Sequence, residues 1–413
     1  MSRIYITASS DTSIYERYAN LNTGHDEILE VGKKQDNLEI VNGQVRSLIK
    51  FTLTDLVGAP TTSDAYLNLK IANATKLNQN QLVYVYPVSR SWEEGSGYFE
   101  QSPIKSDDGS TWTTYASGSN WTTIGGDYNL TPVVSASVAD IVNDELRINV
   151  TDVVQSMYSG SVADFTDATC DTNHTSNQTT VAHDANASIV AGLSVSGTGI
   201  PANTTISSIT DSTHFVISNA ATATNNNVTL TFGKALTNNY GLLMTYSGSS
   251  ATNIKNVGNI KFFSRQTHTV HEPTLELVWL NHSIVTGSLK TLSSLDIEIA
   301  PRNMKAEYNA GSVLKMYFTV RDKYPAKAYA NTRRFENRYY LPPSGSIYTI
   351  VDAGSGTTVV PFDNYSHLDC DTTGSYLMLD TKPLYKNRFY ELSLKTTLGS
   401  EVYFSRPFRF RVI

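Results

Sequence analysis

Trp92 is followed directly by Glu93 and Glu94, Glu100 comes soon after, and Trp112, Tyr115 and Trp121 lie just beyond, so three of the chain's 4 tryptophans share one loop-rich stretch. Two carboxylates set across a sugar ring above an aromatic platform are what a glycosidase needs, which makes this the first place to look for bond chemistry. Sequence spacing does not fix the carboxylate separation. The rings of Trp92, Trp112 and Trp121 could instead stack on sugar faces without cleaving them, offering apolar area inside a polar rim. A third expectation is that they plug one end of a β-sandwich beneath its long loops.

Other candidates are thinner. Asp107-Asp108-Gly109-Ser110 offers oxygen ligands suited to calcium but lacks the remaining acidic positions of a calcium loop, and Asp-Gly is ordinary turn chemistry. His271-Glu272 runs into Pro273 in a strand context, which removes the helical spacing a zinc protease requires. The chain has no Gly-x-Ser-x-Gly elbow, phosphate-binding loop or Cys-x-x-Cys pair. The expectation is a protein with no catalytic residues, no metal and no cofactor. Arg333, Arg334, Phe335, Arg338, Tyr339 and Tyr340 interleave cations with aromatic rings, a mixture that anchors protein interfaces or stacks on nucleic acid. With a net charge of -6, a protein partner is the expectation, with no nucleic acid.

Strands must position all of this. Val45, Ile49, Phe51 and Leu53 alternate with Arg46, Lys50 and Thr52, and the same period of two returns in Ala65, Leu67, Leu69 and Ile71. Only Ser47 and Leu48 break the parity. Two strands with one buried face call for a covering sheet, hence a sandwich. Composition agrees: charged residues are 17%, tyrosine occurs 24 times, and Thr, Ser, Asn and Gly fill strands and turns. At 413 residues the chain needs several cores, and three domains are expected. Cys170 and Cys370 fall in different expected domains, so a disulfide framework is not expected. No apolar run is long enough for a membrane helix or a secretory signal, which points to folding in a cytoplasm or to loss of a signal on export.

Several motifs carry a resemblance. The Asp11, Thr12 and Ile14 opening, the Asn20, Asn22 and Gly24 turn, the Arg46 to Phe51 strand, Ala65 to Leu69 and the Trp92-Glu93-Glu94 corner occur in order. Thr111-Trp112, Asn149 to Val154, Phe262 to Arg265 and Pro273 to Leu277 follow. Together they resemble the DNRLRE-domain family, β-sandwich modules of bacterial surface proteins, of some polysaccharide-acting enzymes and of some phage. The pattern pauses near Gly160 and resumes at Gly241, and the stretch between reads as a small inserted β domain whose Val195 to Ile206 run is similar to a module of marine phage structural proteins. Ile350 to Tyr390 is similar to regions of virion proteins of marine tailed phages.

These resemblances imply an all-β protein: a jelly-roll-like antiparallel β-sandwich (1–163 and 235–281), a small inserted β domain (164–234) and a carboxy-terminal Ig-like β-sandwich (282–413). They imply a non-enzymatic virion structural protein, assembled in the host cytoplasm, docking on other virion proteins of neck, tail, baseplate or capsid as a homo-oligomer or symmetric array, without membrane contact. The alternative is a carbohydrate-binding adhesin module recognising host-surface polysaccharide.

Overall fold

The computed structural model describes residues 3–33, 43–53, 64–75, 81–100, 108–141, 144–159, 165–172, 178–202, 204–233, 235–236, 238–246, 258–278, 283–324, 339–381 and 383–413. The chain is nearly all β, built from several antiparallel sheets, as the alternation requires. Five strands open it: β1 (Arg3–Tyr15), β2 (Ile28–Lys33), β3 (Gln44–Phe51), β4 (Asp64–Thr75) and β5 (Leu82–Pro87). With Val134–Ser137, Glu145–Asn149, Leu242–Tyr246, Gly258–Phe263 and Thr274–Val278 they form a ten-stranded sheet among the described residues. β3 sits centrally, pairing with β1, β2 and Leu242–Tyr246.

β3 and β4 do not pair with each other, yet both feed one core. Ile49, Phe51, Leu67 and Leu69 bury there with Val83, Leu146, Phe262 and Leu275. Each such side chain contributes roughly 1.5–3 kcal/mol by leaving water. The parity break in β3 has a physical cause. Leu48, on the opposite face from Ile49, is fully buried under Ile14, Leu243 and the three tryptophans, so this strand is covered on both sides. Ser47 lies on the core-facing side and is tolerated because its hydroxyl donates to the Glu30 carbonyl at 2.7 Å. The segment Asn149 to Val154 departs from the strand pattern. Thr151–Gln155 is a short helix, preceded by a turn in which the Asn149 side-chain oxygen accepts the Thr151 amide, and anchored by buried Val153 and Val154.

Contacts divide the chain into two units, Ile6–Leu277 and Met1–Tyr5 with Val278–Ile413. Inside the first unit, Phe165–Cys170, Val228–Gly233, Ser194–Gly197, Thr204–Asp211, His214–Ile217 and Thr180–Ala182 make a six-stranded sheet. It encloses its own core of Leu193, Val195, Ile206, Phe215, Leu230 and Phe232. In the second unit a four-stranded and a six-stranded sheet flank a core that includes Phe318, Leu379, Tyr390, Leu392 and Phe410. One short pairing there, Glu307–Tyr308 with the carboxy-terminal strand, is parallel. Cys170 and Cys370 are both buried free thiols.

Because Leu48 is gripped between two layers, Leu48→Ala is expected to cost about 2–5 kcal/mol in denaturant unfolding followed by tryptophan fluorescence. A loss below about 0.5 kcal/mol, the range of a surface change, would show that the tryptophan layer is not packed core.

Candidate functional site

The three tryptophans do come together, but as interior. Trp92, Trp112 and Trp121 are only 6%, 6% and 5% exposed. The Trp92 indole N–H donates to the Tyr240 carbonyl at 2.6 Å and that of Trp121 to the Thr111 carbonyl at 2.9 Å. Trp112 is covered by the Arg46 guanidinium, 4.9 Å from the ring centroid. Arg46 in turn donates to the Gly125 carbonyl at 2.7 Å. Rings so enclosed leave little face for a sugar; they pack in one buried cluster with Ile14, Leu48, Val88 and Leu243. Tyr115 packs on Trp121 and lies beneath Arg90.

The carboxylates beside them are structural as well. Glu94 accepts the Asp11 amide at 2.9 Å and the Gln266 side-chain amide at 3.0 Å, and is gripped by two nitrogens of Arg265 at 3.0 and 3.3 Å. Such a forked contact is the strong form of the guanidinium–carboxylate bond. The Arg265 amide donates to Asp11 at 2.7 Å. Asn22 completes the knot: its amide nitrogen donates to the carbonyls of Glu94 and Ser110, both at 2.8 Å, while its oxygen accepts from Gly97 at 2.8 Å. A Cβ on Gly24 would collide with the Glu94 carbonyl, so only glycine permits this approach. Asp108 accepts from the Ser96 amide at 2.9 Å, and Asp107 lies outside the described residues. His271 packs its ring against Phe263.

This knot borders a groove of about 750 Å³, within the size range of small-ligand sites. One wall is the segment after the Trp92-Glu93-Glu94 corner. Phe99 turns inward between Tyr15 and Tyr18, with ring centroids 5.0 and 5.7 Å away, while its neighbour Tyr98 is 49% exposed and meets His25 edge-on at 5.8 Å. Asp26 fastens this wall to the next by accepting the Phe99 amide at 3.1 Å. The third wall runs from Lys261 to His268. Lys261 pairs with Glu30 at 2.8 Å, and Ser264 ties back through its amide to the Glu27 carbonyl at 2.9 Å. An exposed ring beside a dense set of donors and acceptors suits a polyhydroxylated ligand. A second groove, of about 580 Å³ beside Arg90, Asp127 and Tyr128, is less suited, since Arg90 is paired with Asp127 at 3.1 Å and Tyr128 packs on Tyr86.

Of the proposed interface residues, Arg333, Arg334, Phe335 and Arg338 lie outside the described residues. Tyr339 and Tyr340 are half-buried; the Tyr339 hydroxyl donates to Asp322 at 3.4 Å and the Tyr340 amide to the Lys290 carbonyl at 3.2 Å. The sequence pointed to Glu100 on the rim but not to Tyr98, His25, Lys261 or His268. An aromatic pair, Tyr98-Phe99, in the glycine-rich loop after the tryptophan corner was the available signal.

Comparison with known proteins bears on this region. Residues 2–127 match the model of carbohydrate-binding module family 96. The match overturns the DNRLRE assignment and, with it, the virion structural protein reading: nothing found supports a phage particle or its neck, tail and capsid proteins as partners. The motif residues that suggested it belong to the knot, the tryptophan layer and the main core, and such framework residues report a fold rather than a role. Carbohydrate-binding modules are typically non-catalytic. No curated protein matches the chain. A solved structure of native Escherichia coli alpha-2-macroglobulin aligns with 98% of this chain and 24% of that one at 9% identity and a TM-score of 0.19, which carries no argument about fold or function.

Burial pushes the Asp11 carboxyl up to about 7, with Glu94 adding to the rise and the Arg265 amide opposing it. The folded-state value lies above the unfolded one, near 3.9. The folded protein therefore keeps a proton that the unfolded chain releases, and stability falls as pH rises from roughly 4 to 7. Asp11→Asn, which still accepts from Arg265, is expected to flatten that slope in thermal unfolding across the window. An unchanged slope would exclude Asp11 as its source.

Proposed function

We propose that the protein is a non-catalytic carbohydrate-binding protein and that the groove beside Tyr98 is where it holds the sugar chain. The observation that carries this is the match of residues 2–127 to carbohydrate-binding module family 96, because two of the groove's three walls, residues 15–30 and 98–100, lie inside it. The geometry supports it independently. Tyr98 offers a ring face for stacking, and the surrounding carboxylates, amides and imidazoles can exchange hydrogen bonds with hydroxyl groups. Binding without cleavage is supported by the state of the nearby acids. Glu94, the best-placed carboxylate of the tryptophan corner, is locked between Arg265, Gln266 and the Asp11 amide, with no freedom to serve as acid or nucleophile.

Affinity electrophoresis and calorimetry of the full chain against a polysaccharide panel test this. Wild type is expected to bind at least one glycan, and Tyr98→Ala to weaken that binding roughly tenfold, the worth of a stacking ring, with the melting temperature nearly unchanged. Trp112→Ala is expected to act oppositely, lowering stability by about 3–5 kcal/mol as a core deletion does. Retained affinity in a folded Tyr98→Ala protein would move the site elsewhere. Release of new reducing ends by wild type would overturn the non-catalytic assignment.

A further inference from the structure

In the second unit, Arg388–Leu398 pairs along one flank with Ser346–Asp352 and along the other with Glu401–Phe404 and then Phe408–Val412. Among the described residues, Glu401–Phe404 pairs with Arg388–Leu398 alone, which leaves its far side as a sheet edge. The two strands form a hairpin closed by Gly399 and Ser400, with Leu398 opposite Glu401. Farther along, the Ser405 amide donates to the Leu394 carbonyl at 2.9 Å. Because backbone groups alternate sides along a strand, Glu401, Tyr403 and Ser405 turn theirs to Arg388–Leu398, and Val402 and Phe404 turn theirs outward. Edges that stay single carry charge, proline or a bulge at such positions. This edge carries Val402 and Phe404, 49% and 59% exposed, two residues apart and so on one face of the sheet. Phe362, 36% exposed, meets Phe404 edge-on at 6.2 Å and widens that apolar face.

We propose that Glu401–Phe404 pairs with the same strand of a second copy of this chain, antiparallel, about a two-fold axis at Tyr403. Residues 402 and 404 then face each other across the axis. The N–H and C=O of Val402 in one copy meet the C=O and N–H of Phe404 in the other, and the symmetry repeats the exchange. This register satisfies every outward backbone group of both residues, whereas a slip by one sets outward groups against inward ones and satisfies none. It also places Val402 beside Phe404 twice on one face, a β-branched and aromatic pairing that stabilises sheets. Charge selects the direction. Glu401 and Arg406 stand exposed at opposite ends of the strand, and an antiparallel partner brings the carboxylate end of one copy to the guanidinium end of the other. A second copy meets these requirements by symmetry alone. The strand is short, so the pair is expected to hold at roughly micromolar concentration.

Sedimentation equilibrium of the full chain tests this. Wild type is expected to pass from one chain to two as its concentration rises through roughly the micromolar range. Val402→Pro removes an outward donor but none that faces the hairpin partner, since proline is tolerated on the open side of an edge strand. Phe404→Lys puts a charge on the edge. Each change falls twice in the dimer and is expected to weaken association about tenfold, with the melting temperature nearly unchanged. If one variant fails to fold, the other decides. Disulfide trapping reads the register: a mixture of Val402→Cys and Phe404→Cys proteins is expected to cross-link several-fold faster than either alone, because residues opposite each other in a ladder lie within disulfide reach. The native Cys170 and Cys370 are buried and do not compete. A wild type that stays single up to about millimolar concentration, association unmoved in the folded variants, or equal trapping in all three samples overturns the proposal.

Discussion

Glu94 is the hinge of the whole arrangement, because one carboxylate holds together segments from three distant parts of the chain. It accepts from the Asp11 backbone, from the Gln266 side chain and from both ends of the Arg265 fork. Asp11 returns a bond to the Arg265 amide, and Asn22 grips the Glu94 carbonyl from the other side. Surface ion pairs are worth little, but this one is only 15% exposed on the carboxylate side and lies in a connected network. Its work is positional. The backbone turns that carry His25, Tyr98 and His268 begin at residues this knot fixes, so the groove's width follows from it.

Much of the architecture could be read from residue order. The period of two in β3 and β4 gave the strands, but it implied one buried face, and only the structure shows that the break at Ser47 and Leu48 belongs to a strand covered on both. The motif residues Asp11, Asn22, Glu94 and Arg265 also stood out, but sequence did not show that they converge. Nothing in linear order says that residues 11, 22, 94 and 265 touch, since that contact is made by pairing of strands far apart in the chain. The aromatic content of the tryptophan corner misled for a related reason. Whether an indole faces water or core depends on what lies above it, and over Trp112 the Arg46 guanidinium and the close approach of Gly125 supply the cover. The short helix Thr151–Gln155 escaped because a five-residue element carries too few positions to set a period.

The misassigned role and the correctly anticipated fold have one origin. Turn glycines, capping asparagines and cross-strand pairs are required by a sandwich whatever the sandwich does, so they recur among modules of differing function. The groove's lining is less constrained by the fold: Tyr98 is 49% exposed and Glu27 and Glu100 are exposed beside it. The Lys261–Glu30 ion pair fastens Gly258–Phe263 to β2 on the same side.

The most direct measurement of the central claim is a double-mutant cycle of Glu94→Gln and Arg265→Gln, read by denaturant unfolding of the full chain. If the knot organises the groove's walls, the two changes couple by about 1–3 kcal/mol, the double variant losing far less than the sum of the singles. Losses that add to within about 0.5 kcal/mol would mean the two residues act independently, and the account of how this groove is held would then be wrong.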